Sequence, residues 1–267
     1  MTNTNNGTGT VLKAEQEGTI RVLTLDGPQS RNSIGPENYR DLQRRIIDAA
    51  EDSSVRAIVV SGAGGFFCSG GNVTNLQRSA AGTMAEATAN TDALNAMILA
   101  IRHCPKPVIA AVEGGAAGAG FSLALACDLI VAAQGARFLV SYVKVGLTPD
   151  GGVTHFLTGA LPRQLVGELC LLGRPASAER LHAAGVVNTL SEPGRALGDA
   201  MALAGELTAG ASGAQAVIKA EIAAAPFNDL ASQLDLEARG INRARFGAEA
   251  REGLAAFLEK RKPEFHR

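Results

Sequence analysis

Along the first two thirds of the chain, short apolar runs alternate with glycine, proline and polar segments. Between Val11 and Leu25, the β-rich runs VLKAEQ and TIRVLTL flank Glu17-Gly18, which predicts a hairpin. GPQSRN reads as a loop. Pro36 then opens a helix to about Asp52, in which Tyr39, Leu42, Ile46 and Ala49 share one face. RAIVVSG has the pattern of a short buried strand and GAGGFFCSGG that of a glycine loop with a polar exit at Asn72. Residues 73 to 84 are polar and predict a mobile loop. A helix follows from Ala85 to Arg102, broken by Pro105-Lys106-Pro107, and VIAAVEG is another buried strand. After GGAAGAGFSLALACD come DLIVAA and ARFLV as strands. From Asp150 the pattern turns mostly helical, interrupted by a strand-like VVNTL. Strands alternating with helices argue an α/β fold, and the helical last third reads as a smaller lobe packed on the first domain or on a neighbour.

Composition narrows the function classes. Of 267 residues, 46% are hydrophobic, enough for a sizeable core. The formal net charge is −1, so no global basic field points to nucleic acid or an acidic membrane surface. Cys68, Cys104, Cys127 and Cys170 are scattered without CxxC or zinc-ligand spacing, which predicts reduced thiols, a cytoplasmic protein and no metal site. MTNTNNGTGT has neither a basic nor an apolar signal-peptide region and reads as a frayed tail over residues 1–10. No run is long and apolar enough to predict a membrane span.

Two segments share one grammar. Ile58-Val59-Val60 runs into GAGGFFCSGGN, and Val108 to Val112 runs into GGAAGAG and then an apolar helix. Glycine admits positive φ and lets a ligand approach without a Cβ in the way. A helix start leaves N–H groups unpaired at its positive end. Brought together, two such junctions would offer two N–H donors to one oxygen, an oxyanion hole. Close helix–strand packing explains either glycine cluster taken alone. A nucleotide fingerprint fits poorly, because the third glycine of GxGxxG falls at Leu123, and the GKS or GKT of a P-loop is absent.

Five motifs in order carry a resemblance. RNSI (Arg31 to Ile34), FCSGGN (Phe67 to Asn72), EGGAAGAGFSLALACDLIVA, VGLTPDGGVTHFL and the closing EGLAAFLEKRKPEF are similar to the signature segments of the crotonase family, the enoyl-CoA hydratase/isomerase superfamily, from about Val11 to Phe265. Within it the pattern resembles bacterial enoyl-CoA hydratases and oxepin-CoA hydrolases of an alternative type. The resemblance implies a ββα spiral with two roughly perpendicular sheets, a core domain over residues 11–200 and a helical oligomerisation region over 201–267. It implies an acyl-CoA substrate whose thioester oxygen sits between the N–H groups of Gly71 and Ala119. Ser69, Gly70, Gly71, Asn72 and Val73 would line the thioester and CoA site, with Gly118 beside them and Arg31 on the same subunit. The assembly implied is a trimer or a dimer of trimers, in which Phe257 and Lys260 of the closing helix reach a neighbour's CoA. No metal or redox cofactor is implied, since CoA arrives with the substrate.

The chain departs from the family at two positions. The two glutamates that hold water in family hydratases fall at Ser122 and Tyr142, and neither is a carboxylate. Asp150, in TPDGG, remains. Two roles are open to it: a proton shuttle whose pKa is raised beside an apolar acyl pocket, or a helix N-cap or turn residue before Gly151-Gly152. Tyr142 would either hydrogen-bond the acyl chain or pack. Ser122 would be structural or would orient a water. Ser122, Asp150 and His155 are also the ingredients of a hydrolase triad, but the GxSxG elbow is missing. A non-catalytic acyl-CoA binder that lost the glutamates is the remaining alternative.

Overall fold

The computed structural model describes residues 9–266, without the side chains of Val73 and Arg78. Of the expected tail, residues 1–8 lie outside the described residues. Thr10 is buried, and its carbonyl accepts the Asn38 amide at 2.9 Å.

A large sheet organises the chain. β1 (Val11–Glu17) and β2 (Ile20–Asp26) form the expected antiparallel hairpin, turned at Gly18 with φ +57°. β3 (Ala57–Gly62), β4 (Val108–Val112), β6 (Leu129–Ala133) and β9 (Thr189–Ser191) add in parallel, giving the order β1-β2-β3-β4-β6-β9. Because side chains alternate along a strand, each central strand feeds two cores. Ile58, Val60, Val108, Ala110, Val112, Ile130 and Ala132 point to the main core. Ala57, Val59, Ile109, Ala111 and Val131 point to the opposite face.

The main core is covered by α1 (Pro36–Glu51) and α3 (Met84–His103). Tyr39, Leu42, Ile46 and Ala49 form the buried face of α1, as their spacing predicts. Thr83 and Glu86 close a reciprocal capping box at the start of α3. The opposite face of the sheet is covered by α8 (Ala196–Thr208), through Ala200 and Ala204. The expected domain boundary at 200/201 falls inside this helix, which packs on β3, β4 and β6. The later helices, α9 (Ser212–Ala224), α10 (Leu230–Arg245) and α11 (Ala248–Glu259), have one buried residue among them, Ala256. Lys219 of α9 ties them back, donating to Asp128 Oδ2 at 2.6 Å and to the carbonyls of Ile101 and Lys106.

A second sheet of three short strands, β5 (Gly115–Ala117), β7 (Arg137–Leu139) and β8 (Ala176–Ser177), runs in the order β5-β7-β8. Residues 73–84 correct the expectation of a loop. Val73–Ala80 is α2, and Asn72 Oδ1 accepts the N–H groups of Thr74 (2.9 Å) and Asn75 (3.3 Å) at its start. A polar cap and few apolar residues hid this helix from the hydrophobic period.

Candidate active site

The two glycine junctions meet. The N–H of Phe67 donates to the Glu113 carbonyl at 2.8 Å, Cys68 N–H to Gly115 O at 3.3 Å, and Ala117 N–H to Cys68 O at 2.9 Å. The loop after β3 is thereby sewn along β5. Gly70, at φ +85°, lies so close that a Cβ there would sit 2.4 Å from the Ala117 carbonyl and 3.1 Å from the Ala119 nitrogen. At Gly120 a Cβ would meet Cys68 O at 2.5 Å and its Cβ and Sγ at 2.8 Å. These glycines let the 68–71 loop and the start of α4 (Ala119–Ala126) touch.

Gly71 and Ala119 therefore sit side by side at the junction. Neither N–H donates to an acceptor among the described residues. Ala119 is the first residue of α4, where backbone donors are orphaned and the helix dipole is positive. Ile34 fixes the other side, its N–H donating to Gly70 O at 2.9 Å in a bridge to Gly71. Burial pushes the Cys68 thiol up to about 12, so it stays neutral behind the loop.

The remaining expected residues divide into those gathered here and those elsewhere. Ser69 donates its N–H to Arg31 O and its hydroxyl to Ser30 O, each at 2.9 Å. Arg31 is exposed, with its guanidinium 5.6 Å from the Phe66 ring. Its neighbour Asn32 is fully buried, accepting from Gly27 N–H and donating to the carbonyls of Ala63 and Phe66, which pins this loop to the one after β3. Asn72 faces α2 as its cap, and the Val73 side chain lies outside the described residues. Gly118, at φ +51°, has space for a Cβ only at 3.5 Å from Ser141 Oγ and 3.8 Å from the Tyr142 hydroxyl. Phe257 and Lys260 stand exposed at the end of α11, with no hydrogen bond or ring contact to this loop among the described residues.

Ser122, Tyr142 and Asp150 come together. The Tyr142 hydroxyl donates to Asp150 Oδ1 at 2.6 Å, and the Ser122 hydroxyl donates to the Asp150 carbonyl at 3.0 Å. Ser122 is wholly buried, Tyr142 is buried and Asp150 is half-buried. Gly151, at φ +60°, allows the close pass, since a Cβ there would lie 2.8 Å from that of Ser122. Burial raises the Asp150 pKa above the ordinary carboxylate value, and the Tyr142 hydrogen bond opposes that rise. Burial first, and then the Asp150 charge, hold the Tyr142 phenol far above its ordinary range, so it remains a donor.

This arrangement narrows the roles that the sequence left open. Tyr142 neither merely packs nor points free to an acyl chain; it holds Asp150. Asp150 is not the cap of α5 (Val153–Ala160), whose N-cap is Gly152 without a side-chain bond. The hydrolase triad does not assemble either. Ser122 turns to the Asp150 backbone, while exposed His155 stacks on Phe227 with ring centroids 5.6 Å apart.

One residue near this cluster escapes the sequence patterns. Tyr39, on the buried face of α1, feels the Asp150 charge and the Cys68 thiol, and its phenol is held above its ordinary range by burial and by both. Its place in the apolar period of α1 marks it only as core.

No group of three or more potential metal-ligating side chains occurs among the described residues, and no described helix is long and apolar enough to cross a membrane.

Comparison with known proteins places the chain among relatives. A family model described as enoyl-CoA hydratase/isomerase matches residues 15–267. The chain is similar to the 1,2-epoxyphenylacetyl-CoA isomerase of Escherichia coli, at 34% identity covering 92% of this chain and 94% of the relative. It is similar to a mevalonyl-coenzyme A hydratase of Beauveria bassiana, at 33% identity covering 91% and 90%. A solved enoyl-CoA hydratase from a Polaromonas species superimposes with a TM-score of 0.94 at 44% identity, covering 96% of this chain and 99% of that one.

Proposed function

The chain belongs to the enoyl-CoA hydratase/isomerase family, and from that premise we propose that it moves a double bond in an enoyl-CoA, with Asp150 as the single proton carrier. The observation that carries the reading is the Tyr142–Asp150 hydrogen bond of 2.6 Å. Both positions that would hold a water-activating glutamate are hydroxyl residues engaged with Asp150, so one carboxylate is left to do acid–base work. Serine and tyrosine hydroxyls lose protons far above neutral pH and are poor general bases there. One carboxylate suffices for an isomerase.

In the proposed reaction a 3-enoyl thioester lies with its carbonyl oxygen between the Gly71 and Ala119 N–H groups. Asp150 takes a proton from the carbon next to the carbonyl. The electron pair spreads through the double bond to the oxygen, giving a dienolate that the two N–H groups stabilise. One such donor is typically worth roughly 10²–10³ in rate. Asp150, now neutral, returns the proton to the γ-carbon and gives the 2-enoyl-CoA. Nothing is oxidised or reduced, so the reaction calls for no redox cofactor, and CoA enters as part of the substrate. The pKa raised by burial suits a base that must also act as an acid.

The assembly we propose is a trimer or a dimer of trimers working in the cytoplasm, where the four free cysteines stay reduced. Support comes from the apolar side chains left on the C-terminal helices. Phe246, Phe257 and Leu258 are at least 80% exposed, and a lone chain rarely leaves so much apolar surface on one region. In the trimer Phe257 packs on a neighbour's CoA and Lys260 faces its phosphates.

Incubating the pure protein with a panel of acyl-CoA thioesters, with mass spectrometry of the products, tests the reading. Conversion of a 3-enoyl-CoA at constant mass is the expected result. Gain of water as the main event overturns it, and so does absence of any turnover, which is the outcome for a non-catalytic binder.

A further inference from the structure

One buried side chain meets both parts of the glycine junction. Cys68 is wholly buried, and its backbone is fixed on β5, with its N–H on Gly115 O and its carbonyl accepting the Ala117 N–H. Its sulfur accepts the N–H of Gly70 at 3.4 Å. The same sulfur lies against Gly120 in the first turn of α4, where a Cβ would come within 2.8 Å of Sγ. Gly70 directly precedes Gly71, and Gly120 directly follows Ala119. The sulfur therefore touches the immediate neighbours of the two N–H groups that the proposed reaction uses.

The direction of the Gly71 N–H depends on how Gly70 is held. Gly70 sits at φ +85°, a conformation that glycine takes readily. It is anchored at both ends: its N–H donates to Cys68 Sγ, and its carbonyl accepts the Ile34 N–H at 2.9 Å. Carbonyl and N–H of one trans peptide point opposite ways, so the Gly71 N–H points away from Ile34. A thiol sulfur is a weak acceptor. Gly70 is buried, however, and a buried N–H that loses its partner carries the full cost of desolvation. Removing the sulfur frees one of the two anchors, and the peptide that bears the Gly71 N–H turns with it.

We propose that the Cys68 sulfur is a positioning group for the thioester site: by accepting the Gly70 N–H beside Gly120, it aligns the Gly71 N–H with that of Ala119, so that both donate to one thioester oxygen. This rests on the proposed acyl-CoA site. Cys68 acts through Gly70; it forms no bond to the acyl group and moves no proton.

The probe is butanoyl-CoA, isotope-labelled at its thioester carbonyl, which has no double bond to move. Infrared spectra of the probe bound to the full-length protein report on the donors, because hydrogen bonds to a carbonyl oxygen lower its stretching frequency. The spectra are compared in wild type, Cys68→Ala and Cys68→Ser, together with kcat and KM for isomerisation of a 3-enoyl-CoA. Melting curves check folding. The hydroxyl of Cys68→Ser can accept the Gly70 N–H again, whereas Cys68→Ala has no acceptor. Cys68→Val, which keeps bulk and lacks the acceptor, answers the same question if Cys68→Ala does not fold. In wild type the bound carbonyl band is expected below that of free butanoyl-CoA. It should move back toward the free position in Cys68→Ala and stay low in Cys68→Ser. One donor is worth roughly 10²–10³ in rate and misalignment forfeits part of that, so kcat in Cys68→Ala should fall by about 10-fold with KM within about twofold. A band and a kcat unchanged in Cys68→Ala, whatever its melting point, overturn the proposal. So does a Cys68→Ser that loses as much as Cys68→Ala. Gly71→Pro, run beside them, separates the two claims. A band that moves back in Gly71→Pro but not in Cys68→Ala leaves the thioester site standing and removes only the role of Cys68. A band that the wild type does not lower at all overturns the thioester site, and this inference with it.

Discussion

Replacing Tyr142 by phenylalanine keeps the ring in its buried place and removes the donor to Asp150 Oδ1, now at 2.6 Å. That bond favours the ionised carboxylate and works against the burial that raises the Asp150 pKa. Its loss therefore raises the pKa further. A hydrogen bond to a charged group contributes about 1.5–3 kcal/mol, and about 1.4 kcal/mol corresponds to one pKa unit, so the full effect is about 1–2 units. Asp150 is half-buried, and water entering beside the carboxylate recovers part of the bond, which places the expected rise at about 1 unit. The assay is kcat/KM for isomerisation of a 3-enoyl-CoA across the acid range. Activity needs ionised Asp150, so the rate falls as pH drops through its pKa, and in Tyr142→Phe that acid limb moves to higher pH. An acid limb that stays in place, or moves to lower pH, refutes the assignment of Tyr142 as the group that tunes the base.

Gly71→Pro removes one N–H outright; a folded variant should lose roughly 10²–10³ in kcat, and full turnover would show that the oxyanion donors lie elsewhere. Gly120→Ala drives a Cβ to within 2.5 Å of Cys68 O, so α4 must shift from the 68–71 loop; a loss of about 1–3 kcal/mol in denaturant unfolding together with reduced turnover is expected, and an unchanged protein would mean that the junction is loose. Light scattering at micromolar concentration should give the mass of three or six chains, and a monomer would leave Phe257 and Lys260 without a CoA to meet.

How far these positions were legible in the sequence depended on the physics that set them. Tyr39, Leu42, Ile46 and Ala49 were readable as one face because a solvated helix has a period, and the glycine junctions because close approach leaves few residue choices. The short strands β5 and β8, of three and two residues, are too brief to show alternation. The Tyr142–Asp150 bond spans eight positions across a tight turn and follows no repeat, so the sequence left Tyr142 between packing and a bond to the acyl chain. Tyr39 was hidden for the opposite reason: it obeys the core period fully, so the Asp150 charge it feels leaves no mark on the sequence. The family motifs pointed to the Gly71 and Ala119 N–H groups, while the substitutions at Ser122 and Tyr142 needed the structure to show where those hydroxyls turn.

The central claim is that Asp150 carries the proton, and Asp150→Asn tests it most directly. Burial raises the Asp150 pKa in the fold, so ionisation costs stability as pH rises above the ordinary carboxylate range, and a neutral amide removes that cost. The variant should therefore melt no lower than wild type near neutral pH. Products from a 3-enoyl-CoA and from crotonyl-CoA are followed by mass spectrometry in both proteins. The account predicts isomerisation at constant mass by the wild type, slow hydration, and a fall in turnover of roughly 10²–10⁴ in Asp150→Asn. Rapid addition of water to crotonyl-CoA by the wild type, undiminished in Asp150→Asn, would contradict it.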